Sequence, residues 1–356
     1  MDTMKALVLE KKGEIILKEV PLPRTKKGEA LIRVKACGIC GSDIPRIFGD
    51  VAYYYPSIPG HEFSGEIIAV GEGTENRSLL GKRVTVFPLL PCGQCRYCES
   101  GYFEICDHYG YIGSRQDGAF AEYVVVPLKN CLELPDNVSY ECGALTEPSA
   151  VTFHGLQRLR PPFAGTVAVF GLGPIGVLFG FWAKTAGATA LIGFDVDEVK
   201  LSFAKSMIFD DVQVPNEENT RKMIEKYTAG IGFDYTVEAS GNNHALVNTL
   251  KIVRKLGEVL LLGNQEKEVK LTSGEMNLIL RKELTLRGTW NSCFAQLGSD
   301  WKSVLEYQRL KKVDFSHLIS HRIFLEEAPQ VLRAMRDRKL PYTKVLIIPG
   351  GGIISC

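Results

Sequence analysis

Thr166-Val167-Ala168-Val169-Phe170-Gly171-Leu172-Gly173-Pro174-Ile175-Gly176 is the stretch on which the reading of the fold turns. A short β-branched run passes without a linker into a glycine-rich turn, and the helical sequence Val177 to Ala186 follows at once. Strand, turn and helix in this order make a phosphate cradle. Gly171 allows the tight turn, Gly173 lets a pyrophosphate approach the backbone, Ile175 belongs to the same loop, and Gly176 lets helix and strand pack closely. Asp195 closes a second strand 19 residues beyond Gly176. A carboxylate there accepts both ribose hydroxyls of NAD and repels the 2′-phosphate of NADP, so NAD is the expected dinucleotide. Lys200 stands either beside the adenosine or on the solvated surface.

Working outward, apolar strands alternate with helical stretches after Thr166: Val167 to Phe170, Ala190 to Phe194, Tyr235 to Glu238 and Glu258 to Leu262. Such alternation predicts an α/β domain with a doubly wound parallel sheet. The first 150 residues have a different texture, with short β-type runs at Ala30 to Ala36, Glu66 to Val70 and Arg83 to Phe87 broken by Gly and Pro. A helix is expected at about Ser299 to Lys311, and the segments His317 to Ile323 and Lys344 to Ile348 are expected to rejoin the first domain. The expected domains are therefore 1–154 with 292–356, and 155–291.

The 356 residues exceed what one core usually supports, and 45% of them are apolar, which is ordinary for a soluble globular protein. With 42 Lys and Arg against 41 Asp and Glu, there is no broad field for nucleic acid or an anionic membrane. The apolar stretch Gly165 to Ala183 approaches membrane-spanning length, but Gly171 to Pro174 break it in the middle, as a strand-turn-helix would. Ten cysteines without an apolar leader point to a reducing cytoplasm, where closely spaced thiols hold metals more often than disulfides. Residues after Pro349 carry no readable signal.

Cys92, Cys95, Cys98 and Cys106 fall in a lobe of about residues 91–107 that has little apolar content. Four thiolates closing on Zn²⁺ would organise it, and a metal with all four positions filled by protein is structural. An iron-sulfur cluster and free thiols are the competing readings, although the run lacks the C-x3-C-P ending of bacterial ferredoxins. Further ligand types occur at Cys40 in Cys40-Gly41-Ser42-Asp43, at His61 in Gly60-His61-Glu62, and at Glu147 in Thr146-Glu147-Pro148. Taken one at a time, each is as well explained as a buried, satisfied side chain.

Together and in this order, the Cys-Gly-Ser-Asp run, the segment Gly60 to Gly65, the cysteine lobe and the glycine fingerprint resemble the zinc-dependent medium-chain alcohol and polyol dehydrogenases. The resemblance spans nearly the whole chain. It implies a GroES-like, mainly β catalytic domain, a Rossmann domain, and two zinc ions per subunit. The catalytic zinc is then held by Cys40, His61 and Glu147, with Glu62 as an exchanging ligand; the polyol branch has a carboxylate at the Glu147 position where the alcohol branch has Cys. Asp43 to Phe48, Tyr53 to Pro56, Pro88 to Cys92, Ile112 to Arg115 with Asp117-Gly118, and Leu280 to Thr285 are similar to the hexitol-phosphate members. That implies oxidation of galactitol 1-phosphate to tagatose 6-phosphate with reduction of NAD. On this reading Ser42 starts the proton relay, Arg46 and Arg115 hold the substrate phosphate, and Phe120 with Tyr53 to Tyr55 either lines the pocket or packs in the core. The partners implied are a small-molecule polyol phosphate and further copies of the chain, a dimer ahead of a tetramer. Free polyols such as sorbitol, the amino-alcohol threonine, and a non-catalytic nucleotide-binding role are the alternatives.

Overall fold

A computed structural model describes residues 2–74, 77–159, 164–265, 267–295 and 298–350. The C-terminal residues 351–356, Cys356 among them, lie outside the described residues. Contacts divide the chain into one unit of Met1–Glu147 with Cys293–Cys356 and another of Pro148–Ser292.

The second unit is built on six parallel strands in the spatial order Asp211–Gln213, Ala190–Phe194, Thr166–Phe170, Phe233–Glu238, Val253–Leu261, Thr285–Gly288. Sequence order reverses between Thr166–Phe170 and Phe233–Glu238, which places a switch point beside the glycine turn. The neighbouring strands Thr166–Phe170 and Ala190–Phe194 are almost fully buried because helices cover such parallel sheets, so their sequences are nearly continuously apolar instead of alternating. The apolar stretch Gly165 to Ala183 is divided between the strand Thr166–Phe170 and the helix Pro174–Thr185. Among the described residues no helix is long and apolar enough to cross a membrane.

In the first unit the strands run Ile319–Ile323, Lys344–Ile347, Glu29–Gly38, Glu62–Val70, Arg83–Val86, Cys131–Glu133, with Tyr123–Pro127 pairing on Glu29–Gly38. Lys344–Ile347 lies antiparallel to Glu29–Gly38, which is how the end of the chain rejoins the beginning. A hairpin, Thr3–Lys11 with Glu14–Pro21, packs on the same core. The cysteine lobe is an excursion between two short paired strands, Leu89–Leu90 and Gly110–Tyr111.

Close packing at the glycine turn is visible in what a side chain would meet there. Gly171 has φ of 95°, and a Cβ on it would lie 2.7 Å from Ser240. A Cβ on Gly176 would lie 1.9 Å from the carbonyl oxygen of Gly171. Backbone cannot yield as a flexible side chain can, so Gly176→Ala should destabilise the second unit by about 1–3 kcal/mol, the usual cost of overpacking. Chemical denaturation followed by Trp182 fluorescence tests this, and an unchanged midpoint would refute the packing argument.

Candidate metal and dinucleotide sites

The glycine turn is open where a dinucleotide would approach. Nothing lies within 4 Å of the position a Cβ on Gly173 would take, and Gly173 precedes a 12-residue helix with Pro174 in its first turn. Free backbone N–H groups at such a helix start suit a phosphate. Asp195, just past the strand Ala190–Phe194, accepts hydrogen bonds from the N–H of Leu172 at 2.7 Å and of Asp197 at 3.0 Å. The carboxylate thus braces the glycine turn from the neighbouring strand. Lys200 lies in the first turn of Glu198–Met207, where its N–H donates to Asp197. Sequence reasoning did not single out Glu238. It is fully buried; Oε1 accepts from the N–H groups of Ser240 and Gly241 and from the Ser240 hydroxyl, and Oε2 accepts from Gln265. Its signal was a lone acid closing an apolar strand.

Ligand atoms of Cys92, Cys95, Cys98 and Cys106 all lie within 4.8 Å of one another. The Cys92–Cys98 and Cys95–Cys106 sulfur pairs are both 3.9 Å apart. A tetrahedron of Zn–S bonds of about 2.3 Å requires sulfur atoms about 3.8 Å apart, so the four thiols already stand at zinc spacing. Backbone N–H groups support them: Cys92 and His108 donate to the Cys106 sulfur. Amides of Cys98 and Asp107 pull the Cys95 thiol down to about 6, which favours the ligating thiolate near neutral pH.

The second cluster lies where the strands Glu29–Gly38, Glu62–Val70 and Lys344–Ile347 come together with the loop carrying Cys40. Cys40, His61 and Glu62 bring one ligand atom each within 4.8 Å of the others. Glu147 is not in that group of three. Its Oε1 accepts a hydrogen bond from the Tyr111 hydroxyl at 3.0 Å, and the Tyr111 ring meets His61 edge-on at 5.6 Å. Glu62 forms a buried ion pair with Lys344, the first residue of its strand. Although burial opposes it, neighbouring Glu62 and Cys40 hold the Lys344 ammonium above its ordinary range. Asp43 is fully buried; Oδ2 accepts from the Cys40 N–H at 3.0 Å, and Oδ1 faces His61 Nδ1 at 3.6 Å. Tyr111, Asp43 and Lys344 were not among the candidates read from sequence, because a phenol, an acid beside a known motif and a single lysine carry no spacing.

Charge explains what this pocket lacks. Burial, followed by Glu62 and Asp43, pushes the Cys40 thiol up to about 12, and burial raises the Glu147 carboxyl to about 7. One thiol and the carboxylates of Asp43, Glu62 and Glu147 share two cations, Lys344 and Arg46. A divalent cation would relieve that excess, and thiol, imidazole and carboxylate are the donor types zinc takes. The residues fit the metal.

The remaining candidates are spread around this centre. Ser42 is exposed and donates its hydroxyl to the Cys40 sulfur at 3.3 Å; its side chain caps no helix. Arg46 Nη1 donates to Asp43 Oδ1 at 2.7 Å. Arg115 lies over the rings of Tyr53 and Tyr109, 4.6 and 4.2 Å from their centroids, and donates to the Tyr109 carbonyl and the Tyr53 hydroxyl. Of the two readings of Phe120, the structure favours the core. Phe120 has no exposed surface, and it packs in the core so closely against Gly60 that a Cβ there would lie 2.5 Å from its ring.

Residues 26–136 match the alcohol dehydrogenase GroES-like domain, and residues 174–307 match the zinc-binding dehydrogenase domain. The chain is 35% identical over 350 residues to galactitol 1-phosphate 5-dehydrogenase of Escherichia coli K12, covering 97% of this chain and 100% of that one. It is 33% identical to a sorbitol dehydrogenase of Halalkalibacterium halodurans, covering 97% and 99%. Among solved structures, galactitol-1-phosphate dehydrogenase from Escherichia coli superposes with a TM-score of 0.89 at 32% identity, covering 97% and 100%. A short chain alcohol dehydrogenase from Escherichia coli CFT073, complexed with NADH, gives 0.88 at 26% identity, covering 98% and 100%. With two metal-ligand clusters, an open glycine cradle and full-length likeness in sequence and fold, the chain belongs to the zinc-dependent medium-chain alcohol and polyol dehydrogenase family.

Proposed function

We propose that the protein oxidises a hexitol phosphate, galactitol 1-phosphate to tagatose 6-phosphate, with NAD as hydride acceptor. The observation that carries this reading is the match over 97% of the chain to an enzyme named for that substrate. Arg115 supports it, since the aromatic rings fix a guanidinium in place while leaving its charge for an anion. Zinc held by Cys40, His61 and Glu147 would acidify the substrate hydroxyl, and NAD cradled by Gly171, Gly173, Ile175 and Gly176 would take the hydride.

Each protein group then has a stated task. Tyr111 fixes Glu147 by its hydroxyl, Asp43 faces the imidazole of His61 from behind, and Lys344 offsets Glu62, so that Glu147 is the permanent carboxylate ligand and Glu62 the exchanging one. Ser42 Oγ, exposed and beside Cys40, accepts the hydroxyl proton on its way to solvent. Asp195 favours NAD because its carboxylate would repel a 2′-phosphate.

A free polyol is the second reading. The likeness to a sorbitol dehydrogenase favours it, and so does the engagement of Arg46 with Asp43, which leaves fewer cations for a phosphate.

A second copy of the chain is the proposed partner. Among the described residues, Thr285–Gly288 ends the parallel sheet with one side unpaired, and the helix Ser273–Arg281 buries none of its residues; Met276 and Leu280, one turn apart, and Leu286 are exposed.

Purified enzyme should contain two zinc ions per chain and reduce NAD with galactitol 1-phosphate in clear preference to galactitol, sorbitol and threonine, read at 340 nm. Equal rates on galactitol and its phosphate would leave the dehydrogenase and remove the phosphate. Asp195→Ala should lower the NAD over NADP preference in kcat/KM by at least about tenfold, roughly 1.4 kcal/mol. For the partner, light scattering should give a dimer that Leu280→Lys shifts toward the monomer, and an unshifted mass would place the interface elsewhere.

A further inference from the structure

We propose that Arg46 is a positioning residue of the Cys40–His61 metal centre, acting through Asp43, and not a contact for the substrate. The inference rests on the metal-dependent reading above but not on the identity of the alcohol.

Asp43 opens the short helix Asp43–Phe48, and one turn later Arg46 reaches back to it. The two are therefore neighbours by helical spacing alone. The carboxylate has no solvent exposure, and its contacts define its orientation: Oδ2 holds the Cys40 N–H at 3.0 Å, while Oδ1 meets Arg46 Nη1 at 2.7 Å and faces His61 Nδ1 at 3.6 Å. One carboxyl group thus holds the backbone of one residue that would ligate zinc and faces the ring of another. Its third contact is Arg46.

A planar guanidinium fixes the plane of a carboxylate as a lysine ammonium does not. Held in that plane, Asp43 keeps Nδ1 of His61 facing an acceptor, which leaves Nε2 for the metal, and it anchors the backbone from which Cys40 projects. If Arg46 turned to a substrate phosphate, a fully buried carboxylate would lose its ion-pair partner, at considerable cost. The Arg46 side chain itself is only 16% exposed. The arginine read from sequence as a phosphate ligand is instead the rear support of the metal site.

The test is zinc affinity, read without substrate. Chelator competition on the intact enzyme should release zinc in two phases, and Cys40→Ser identifies the phase that belongs to this centre. Arg46→Met should weaken that phase on the order of 10–100-fold and leave the four-cysteine phase unchanged. Arg46→Lys should fall between Met and the parent. In both variants kcat should drop on phosphorylated and free polyol alike, with little change in KM. Thermal melting identifies which variants are folded. Unchanged zinc affinity in either folded variant, or a rise in KM confined to the phosphorylated polyol, overturns the proposal. A parent protein that binds one zinc per chain, at the four cysteines, would refute the metal-centre reading itself, which is a different result.

Discussion

Burial of three carboxyl groups and a thiol around Cys40 is the constraint on which the functional half of this molecule depends. Asp43, Glu62 and Glu147 are all nearly or wholly buried, with a thiol among them. Such a group is unstable unless cations compensate it. The chain supplies Lys344 against Glu62 and Arg46 against Asp43, and among the described residues no ion pair forms with Glu147 or Cys40. The deficit is located where a metal ion would sit, so folding leaves the centre poised for a cation and not for a neutral ligand.

The nucleotide unit meets a different demand. Its chemistry is done by backbone, through the glycine turn and the start of a helix, and side chains serve mainly to hold that backbone. Asp195 braces the turn from one neighbouring strand. Glu238 gathers the loop after the other, spanning Ser240, Gly241 and Gln265. Gly263 approaches Gly241 and Glu238 so closely that a Cβ there would clash with both. Two carboxylates thus flank the cradle as struts.

Much of this was legible because it has a period or a spacing. Alternating apolar strands and helices exposed the doubly wound sheet, and Cys92, Cys95, Cys98 and Cys106 announced themselves by their intervals. Boundaries moved more: the strand expected at Glu258 to Leu262 begins at Val253, since pairing with its neighbour extends it through a register shift. The helix expected from Ser299 to Lys311 spans Asp300–Arg309, and the side chain of Ser299 caps it instead of entering it. What stayed hidden is tertiary. Tyr111, Asp43 and Lys344 matter because of which strands meet, and a single lysine opening an apolar strand looks like any strand end. Arg46 was noticed as a cation, but its pairing with Asp43 was not, since sequence marks a cation and not what it faces. Phe120 was noticed for its aromatic ring, which packing claimed.

The cysteine lobe opens after Leu90 and closes at Gly110–Tyr111, and Tyr111 is the residue that holds Glu147. The last peptide of the lobe is therefore the first of the pocket. Only a few residues of main chain separate Cys106 from Tyr111. A metal held by the four cysteines would order the main chain up to the strand from which Tyr111 reaches Glu147.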